Sequence, residues 1–227
     1  MIEFPGVPNP TRDDAPEPGL ERGYLAMPAS GNGPGVLVLH AWWGLNDVIR
    51  GICQGLASEG FVALAPDAYG DGGVATTIEE AERRSESLDV ARAEQVMLGA
   101  LDLLSDEASA GPVGVIGLSM GAPFALWAAR KRPDRIAAVV LFYGTGAAEG
   151  GHAAVLGHYA ADDPYEPSEQ VDSFEDELRS AGRLAAFHRY AGTRHWFAES
   201  DRPEFDAHAS TLAWARTLAF LRERVRP

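Results

Sequence analysis

Six short apolar runs, GVLVLH, FVALAP, PVGVIG, IAAVVLFY, AAVLGHYA and LAAFHRY, recur along the chain, bounded by Gly, Pro or Asp. They are rich in small and β-branched residues and mostly lack the polar alternation of a half-exposed strand, so they read as buried strands. The segments between them carry helical spacing. Asn46 or Asp47 is placed to cap a helix running to Gly60 and Thr77 one through IEEAERRSES, while DVARAEQVMLGALDLL puts apolar residues at helical spacing. Further helices are expected from Ala122 to Lys131, Ser168 to Ser180 and about Glu204 to Val225. Strands alternating with helices specify an α/β fold with a mostly parallel central sheet and helices on both faces. Ligands of such sheets bind beyond the carboxyl ends of the strands, so residues just after each apolar run are where chemistry is expected.

With 227 residues, 46% of them hydrophobic, the chain buries a sizeable core as one domain over 1–227, with 1–20 an irregular N-terminal segment. The formal charge of -14 opposes nucleic acid and anionic membrane surfaces. Cys53 is the one cysteine, which excludes an intrachain disulfide and a thiolate metal cluster. A reducing cytoplasm fits, and the acidic, proline-rich first residues lack the basic start and the apolar run of a secretion signal. The sequence leaves the oligomeric state open and is compatible with a monomer. No phosphate-binding glycine motif and no histidine-rich metal spacing is present, so neither a cofactor nor a metal is expected. GDGG at 70–73 reads as a flexible loop, and EEAERRSE as a solvated helix face laced with ion pairs.

The run PVGVIG leads into Gly117-Leu118-Ser119-Met120-Gly121 and then into APFALWAARK. A buried strand must turn sharply there into a helix. Glycines on either side of Ser119 remove side chains that would collide in that turn and leave its hydroxyl exposed at the tip. By itself the G-x-S-x-G pattern is weak evidence. Its position at a strand-to-helix junction makes Ser119 the candidate nucleophile.

A serine hydroxyl needs a base, and the base a carboxylate that orients it, in the chain order Ser, Asp or Glu, His on this kind of fold. Asp162 and Asp163 follow the run AAVLGHYA, and His195 follows LAAFHRY. The other histidines fit less well: His158 and His188 lie within strands, His208 in the last helix, His152 in a Gly-rich loop, and His40 precedes the serine. The developing oxyanion needs donors, for which the Met120 amide and the backbone N–H of Trp42, in the loop after VLVLH, are the candidates. Trp43, Tyr143, Trp196 and Phe197 follow strand ends, where they either line a substrate pocket or pack the interior.

In order and spacing, VLVLHAWWGLNDVIRGICQGLASEGFVALAPDAYG, GVIGLSMGAPFALWAA, HYAADDPYEP and YAGTRHWF resemble the dienelactone hydrolase family of α/β-hydrolases. The resemblance runs from about Tyr24 onward. It implies an α/β-hydrolase core with little or no cap, and a catalytic set of Ser119, Asp163 and His195 with the Trp42 and Met120 amides as oxyanion hole. Asp163 holds the acid's place, just before PYEP.

Three positions depart from the namesake enzymes, which carry a cysteine where this chain has Ser119, a glutamate where it has Ala41, and a substrate-gripping arginine where it has Glu199. A carboxylate at 199 is expected to repel a substrate carboxylate, which weighs against the dienelactone itself. The resemblance thus implies a serine hydrolase of small, fairly apolar carboxylic esters or lactones, working through an acyl-enzyme without a cofactor. Two other readings remain: a true dienelactone hydrolase acting on a carboxylate-bearing lactone, and a hydrolase-fold binding protein without catalysis.

Overall fold

The computed structural model describes residues 1–6 and 20–226. They fall into two compact units, Met1–Ala110 and Gly111–Arg226.

The first unit holds β1 (Ile2–Pro5), β2 (Leu20–Ala26), β3 (Gly35–Leu39), α1 (Asp47–Ser58), β4 (Val62–Pro66), α2 (Ile78–Glu86) and α3 (Val90–Glu107). Strands β3 and β4 are parallel and buried at every residue, as continuous apolar runs require. The crossover between them is α1, capped by the Asn46 side chain, which accepts from the Ile49 N–H at 3.0 Å. Ile49, Cys53, Leu56 and Ala57 form its buried stripe. Thr77 and Asp89 cap α2 and α3 in the same way.

Two elements correct the sequence reading. Ile2–Pro5, expected to be irregular, is a strand paired antiparallel with β2, and Phe4 is its buried contact. Residues 7–19 of that expected segment lie outside the described residues. Strand β2 in turn pairs antiparallel with β4. Nor is the GDGG stretch loose: Asp67 accepts from the Gly72 N–H at 2.8 Å, and Asp71 pairs with Arg84 at 2.7 Å. Arg84 also lies over the Tyr69 ring, 4.4 Å from its centre.

The second unit holds β5 (Val113–Leu118), α4 (Gly121–Lys131), β6 (Ile136–Phe142), β7 (Ala154–Ala160), α5 (Ser168–Ser180), β8 (Ala185–Tyr190) and α6 (Ala207–Arg224). Its strands are all parallel, in the order β5-β6-β7-β8. The register aligns their carboxyl ends, with Leu118 opposite Phe142, Phe142 opposite His158 and Ala160 opposite Tyr190. Loops beginning at residues 119, 143, 161 and 191 therefore leave from one rim. Strand β8 is less buried than its apolar sequence suggests, because it ends the strand order. Among the described residues no helix is long and apolar enough to cross a membrane.

Candidate active site

Ser119 sits between β5 and α4 with φ of 48°, a left-handed conformation that costs energy for a residue with a Cβ. Two backbone bonds hold it there: its N–H donates to Phe142 O at 2.9 Å, and its carbonyl accepts from the Ala122 N–H at 2.8 Å. Of the flanking glycines Gly117 is explained by the same turn, as is Gly144 in the loop after β6. A Cβ on Gly117 would lie 2.5 Å from the Gly121 oxygen and 2.7 Å from Ala122 Cα, and one on Gly144 would lie 2.7 Å from the Ser119 oxygen.

The Ser119 hydroxyl lies 2.9 Å from His195 Nε2. On the far side of the ring, Nδ1 is 2.9 and 2.8 Å from the two oxygens of Asp163. Both side chains are almost fully buried, at 3% and 1% exposure. Asp163 Oδ1 also accepts from the Tyr165 and Glu166 N–H groups at 2.9 and 3.1 Å. A carboxyl group so surrounded by donors acts as acceptor, which puts the imidazole proton on Nδ1 and leaves Nε2 to accept from Ser119. Asp162 is different: its side chain is 78% exposed and reaches Arg194 at 3.7 Å. The three side chains thus form one hydrogen-bonded chain, in which the imidazole is placed to take the hydroxyl proton while the carboxylate holds its orientation.

Aromatic rings enclose the imidazole. Tyr143, Tyr165 and Trp196 each have ring centres 4.9 Å from that of His195. Of the aromatics singled out in the sequence, Trp43, Tyr143, Trp196 and Phe197 are all buried, and Phe197 packs edge-on against Tyr143. Tyr165, which the sequence reading passed over, is 44% exposed beside the imidazole, and its place two residues after Asp163 was the available signal. Glu166, also passed over, ties the loop after β6 to this one by accepting from the Thr145 N–H and hydroxyl at 3.2 and 2.9 Å. Burial pushes its carboxyl up.

In the first unit, the loop that carries Trp42 is fastened through its carbonyls. His40 Nδ1 donates to Ala41 O at 2.7 Å, and the Tyr69 hydroxyl donates to Trp42 O at 3.0 Å. The Ala68 N–H can only donate, so its 3.1 Å contact makes His40 Nε2 an acceptor and fixes the neutral tautomer. Burial pushes the His40 pKa down in the same sense. With both ring nitrogens bonded to backbone, His40 has none left for a base's work.

The Dienelactone hydrolase family profile matches residues 22–225. The chain belongs to the dienelactone hydrolase family. It is 32% identical to Protein usf of Aquifex pyrophilus over 89% of this chain and 93% of that one. It is 29% identical to the carboxymethylenebutenolidase of Pseudomonas sp. strain P51, over 94% of each. A solved dienelactone hydrolase-like promiscuous phosphotriesterase from metagenomic libraries superposes with a TM-score of 0.80 at 24% identity, covering 99% of this chain and 98% of that one. The dienelactone hydrolase of Anabaena variabilis ATCC 29413 superposes with a TM-score of 0.67 at 19% identity, covering 99% of each chain. The fold is that of the α/β-hydrolases. Membership makes the protein a hydrolase acting on ester or lactone bonds.

Against that family background, Glu199 needs a corrected reading. The side chain expected to face a substrate carboxylate is fully buried, and its Oε1 accepts from the Tyr143 hydroxyl at 3.0 Å. Burial pushes its carboxyl up to about 8, against the lowering effect of the Tyr143 bond. Near neutral pH it is therefore mostly an uncharged acid inside the protein, and charge repulsion of a bound substrate is not its role. Cys53 is buried on α1, and desolvation pushes its thiol up to about 12. Among the described residues no cluster of His, Cys, Asp or Glu side chains is grouped to hold a metal ion.

Proposed function

We propose that this dienelactone hydrolase relative is a serine hydrolase that cleaves small, fairly apolar carboxylic esters or lactones through an acyl-enzyme on Ser119. The observation that carries the reading is the 2.9 Å contact of the Ser119 hydroxyl with His195 Nε2, backed by Asp163 on Nδ1. In the proposed cycle His195 takes the Ser119 proton as the oxygen attacks the carbonyl. Asp163 keeps the other imidazole nitrogen protonated and supports the imidazolium that forms. The Met120 amide at the start of α4 and the Trp42 amide are the proposed oxyanion donors, supported by their order in the motifs. Collapse of the tetrahedral intermediate returns the proton from His195 to the departing alcohol oxygen. Water, deprotonated by the same imidazole, then attacks the acyl group and frees Ser119. The aromatic rings around His195 support fairly apolar substrates. We read 1–227 as one hydrolase domain, which the family match over 22–225 supports.

A second reading, action on a carboxylate-bearing lactone, is favoured by the relatives named carboxymethylenebutenolidase. Kinetics with matched neutral and carboxylate-bearing esters and lactones, on the wild type and Ser119→Ala, separate the two. Loss of nearly all turnover in Ser119→Ala, with covalent labelling of Ser119 by an aryl phosphonate in the wild type, is the expected result. A chain that neither labels nor cleaves any member of the panel would instead be a binding protein on a hydrolase fold.

A further inference from the structure

We propose that Glu199 is a positioning residue for the hydrolysis proposed above: its bond to the Tyr143 hydroxyl seats the Tyr143 ring against the His195 imidazole and helps keep it between Ser119 and Asp163. Of the three rings around the imidazole, Trp196 is the chain neighbour of His195, and Tyr165 is 44% exposed. Tyr143 is the wall that comes from a different element, the end of β6, and it is fully buried. Its backbone has φ of 40°, a conformation that persists for a bulky residue only where the surroundings fix it. Two bonds do so, the Tyr143 N–H donating to His158 O at 2.8 Å and the hydroxyl donating to Glu199 Oε1 at 3.0 Å. Glu199 is held in turn by the loop that carries His195, through its N–H to Trp196 O at 2.9 Å and its carbonyl to the Arg202 N–H at 3.0 Å. The side-chain bond therefore ties the histidine's loop to the strand end beside it.

The surroundings of Glu199 say in which form it does this. Tyr143, Asp201 and Arg202 are the titratable or charged groups that act on it, and Asp163 and Asp201 also bear on Tyr143. The Arg202 guanidinium is bonded to Asp201 through Nε and NH2, and Glu199 Oε2 is buried without a hydrogen-bond partner. A carboxylate would leave that oxygen's charge unanswered in the interior, whereas in the acid Oε2 carries the proton and Oε1 still accepts from Tyr143. What Tyr143 needs from position 199 is thus an oxygen and not a charge. Glutamine supplies the oxygen, and methionine, of similar length, does not.

Rates of 4-nitrophenyl acetate hydrolysis at pH 7 test this with Glu199→Met, Glu199→Gln, Tyr143→Phe, the Tyr143→Phe/Glu199→Met double variant and Ser119→Ala, each checked for folding by circular dichroism. Expected are a loss of about tenfold in kcat for Glu199→Met and for Tyr143→Phe with KM within about twofold, since a displaced base affects the transition state more than substrate binding. Glu199→Gln recovers most of what Glu199→Met loses, and the double variant is no slower than either single one, because both break the same bond. Phosphonate labelling of Ser119 slows in parallel, as that step also needs His195. Folded Glu199→Met and Tyr143→Phe with wild-type kcat would overturn the inference, as would a folded Glu199→Gln as slow as Glu199→Met. If Glu199→Met does not fold, Tyr143→Phe and Glu199→Gln decide alone. Retained turnover in Ser119→Ala would instead remove the hydrolase reading on which the inference rests.

Discussion

The Tyr143 hydroxyl donates a 3.0 Å hydrogen bond to Oε1 of Glu199 where neither side chain reaches solvent. The raised carboxyl makes this pair a source of pH-dependent stability. From an ordinary value of 4.5, Glu199 moves to about 8 on folding, so the folded chain binds a proton that the unfolded chain releases between those limits. Its stabilising contribution is complete below pH 4.5 and is lost as pH rises through 8. Glu199→Gln has no such proton to bind. Relative to wild type it should gain, between pH 4.5 and 8.5, on the order of several kcal/mol of stability, as each unit of pKa shift corresponds to about 1.4 kcal/mol. Urea melts of both proteins across that range check it, and curves that stay parallel would contradict it.

The two adjacent carboxylates should separate cleanly in kinetics. Asp163→Asn puts an amide against His195 Nδ1, favours the wrong imidazole tautomer and should lower kcat about 10³- to 10⁴-fold. Asp162→Asn removes only an exposed charge 3.7 Å from Arg194 and should stay within about threefold of wild type. Steady-state kinetics of the two variants decide the matter, and equal losses would leave Asp163 without its assigned role.

At the elbow, the prediction concerns backbone. A Cβ at Gly117 meets the Gly121 oxygen and Ala122 Cα, neither of which can swing aside as a flexible side chain does. Gly117→Ala must therefore shift the start of α4, at a cost of about 1–3 kcal/mol, and displace Ser119. A thermal melt and an ester assay should show both losses. Gly182→Ala, where a Cβ meets no heavy atom within 4 Å but the backbone has φ of 75°, should lose stability without losing activity.

Much of this arrangement was legible in the chain itself. Apolar runs gave β3 to β8 because a parallel strand covered by helices needs apolar residues, Asn46 and Thr77 announced two helices because a cap acts locally, and apolar residues at helical spacing announced α3. Strands β1 and β2 were missed: LERGYLA carries charges, and the reason Glu21 is buried is a partner, Arg92, 71 residues away. Chain order brought out Ser119 and His195. Choosing Asp163 over its neighbour required the resemblance, since only the fold shows that one carboxylate points inward and the other to water. The state of Glu199 was misread for the same reason, as a carboxyl group's charge depends on burial that no local pattern encodes.

The nucleophile itself can be tested by chemistry aimed at the wrong atom. The namesake enzymes of the family are thiol enzymes by the resemblance drawn above, and this chain has a single thiol, so a cysteine mechanism predicts that alkylating reagents abolish turnover. Cys53 lies on α1 with no exposed surface, and its thiol is pushed up to about 12 by burial. At pH 8 the thiolate, the form that attacks, is nearly absent. Iodoacetamide at that pH should therefore leave the native protein unlabelled and active, and Cys53→Ala should keep turnover within about threefold while losing stability through a small core cavity. An aryl phosphonate should inactivate wild type and Cys53→Ala at similar rates, with one label per chain found on Ser119 by mass spectrometry. Iodoacetamide inactivation that tracks labelling of Cys53 would move the chemistry to the thiol and leave the Ser119–His195 contact as packing.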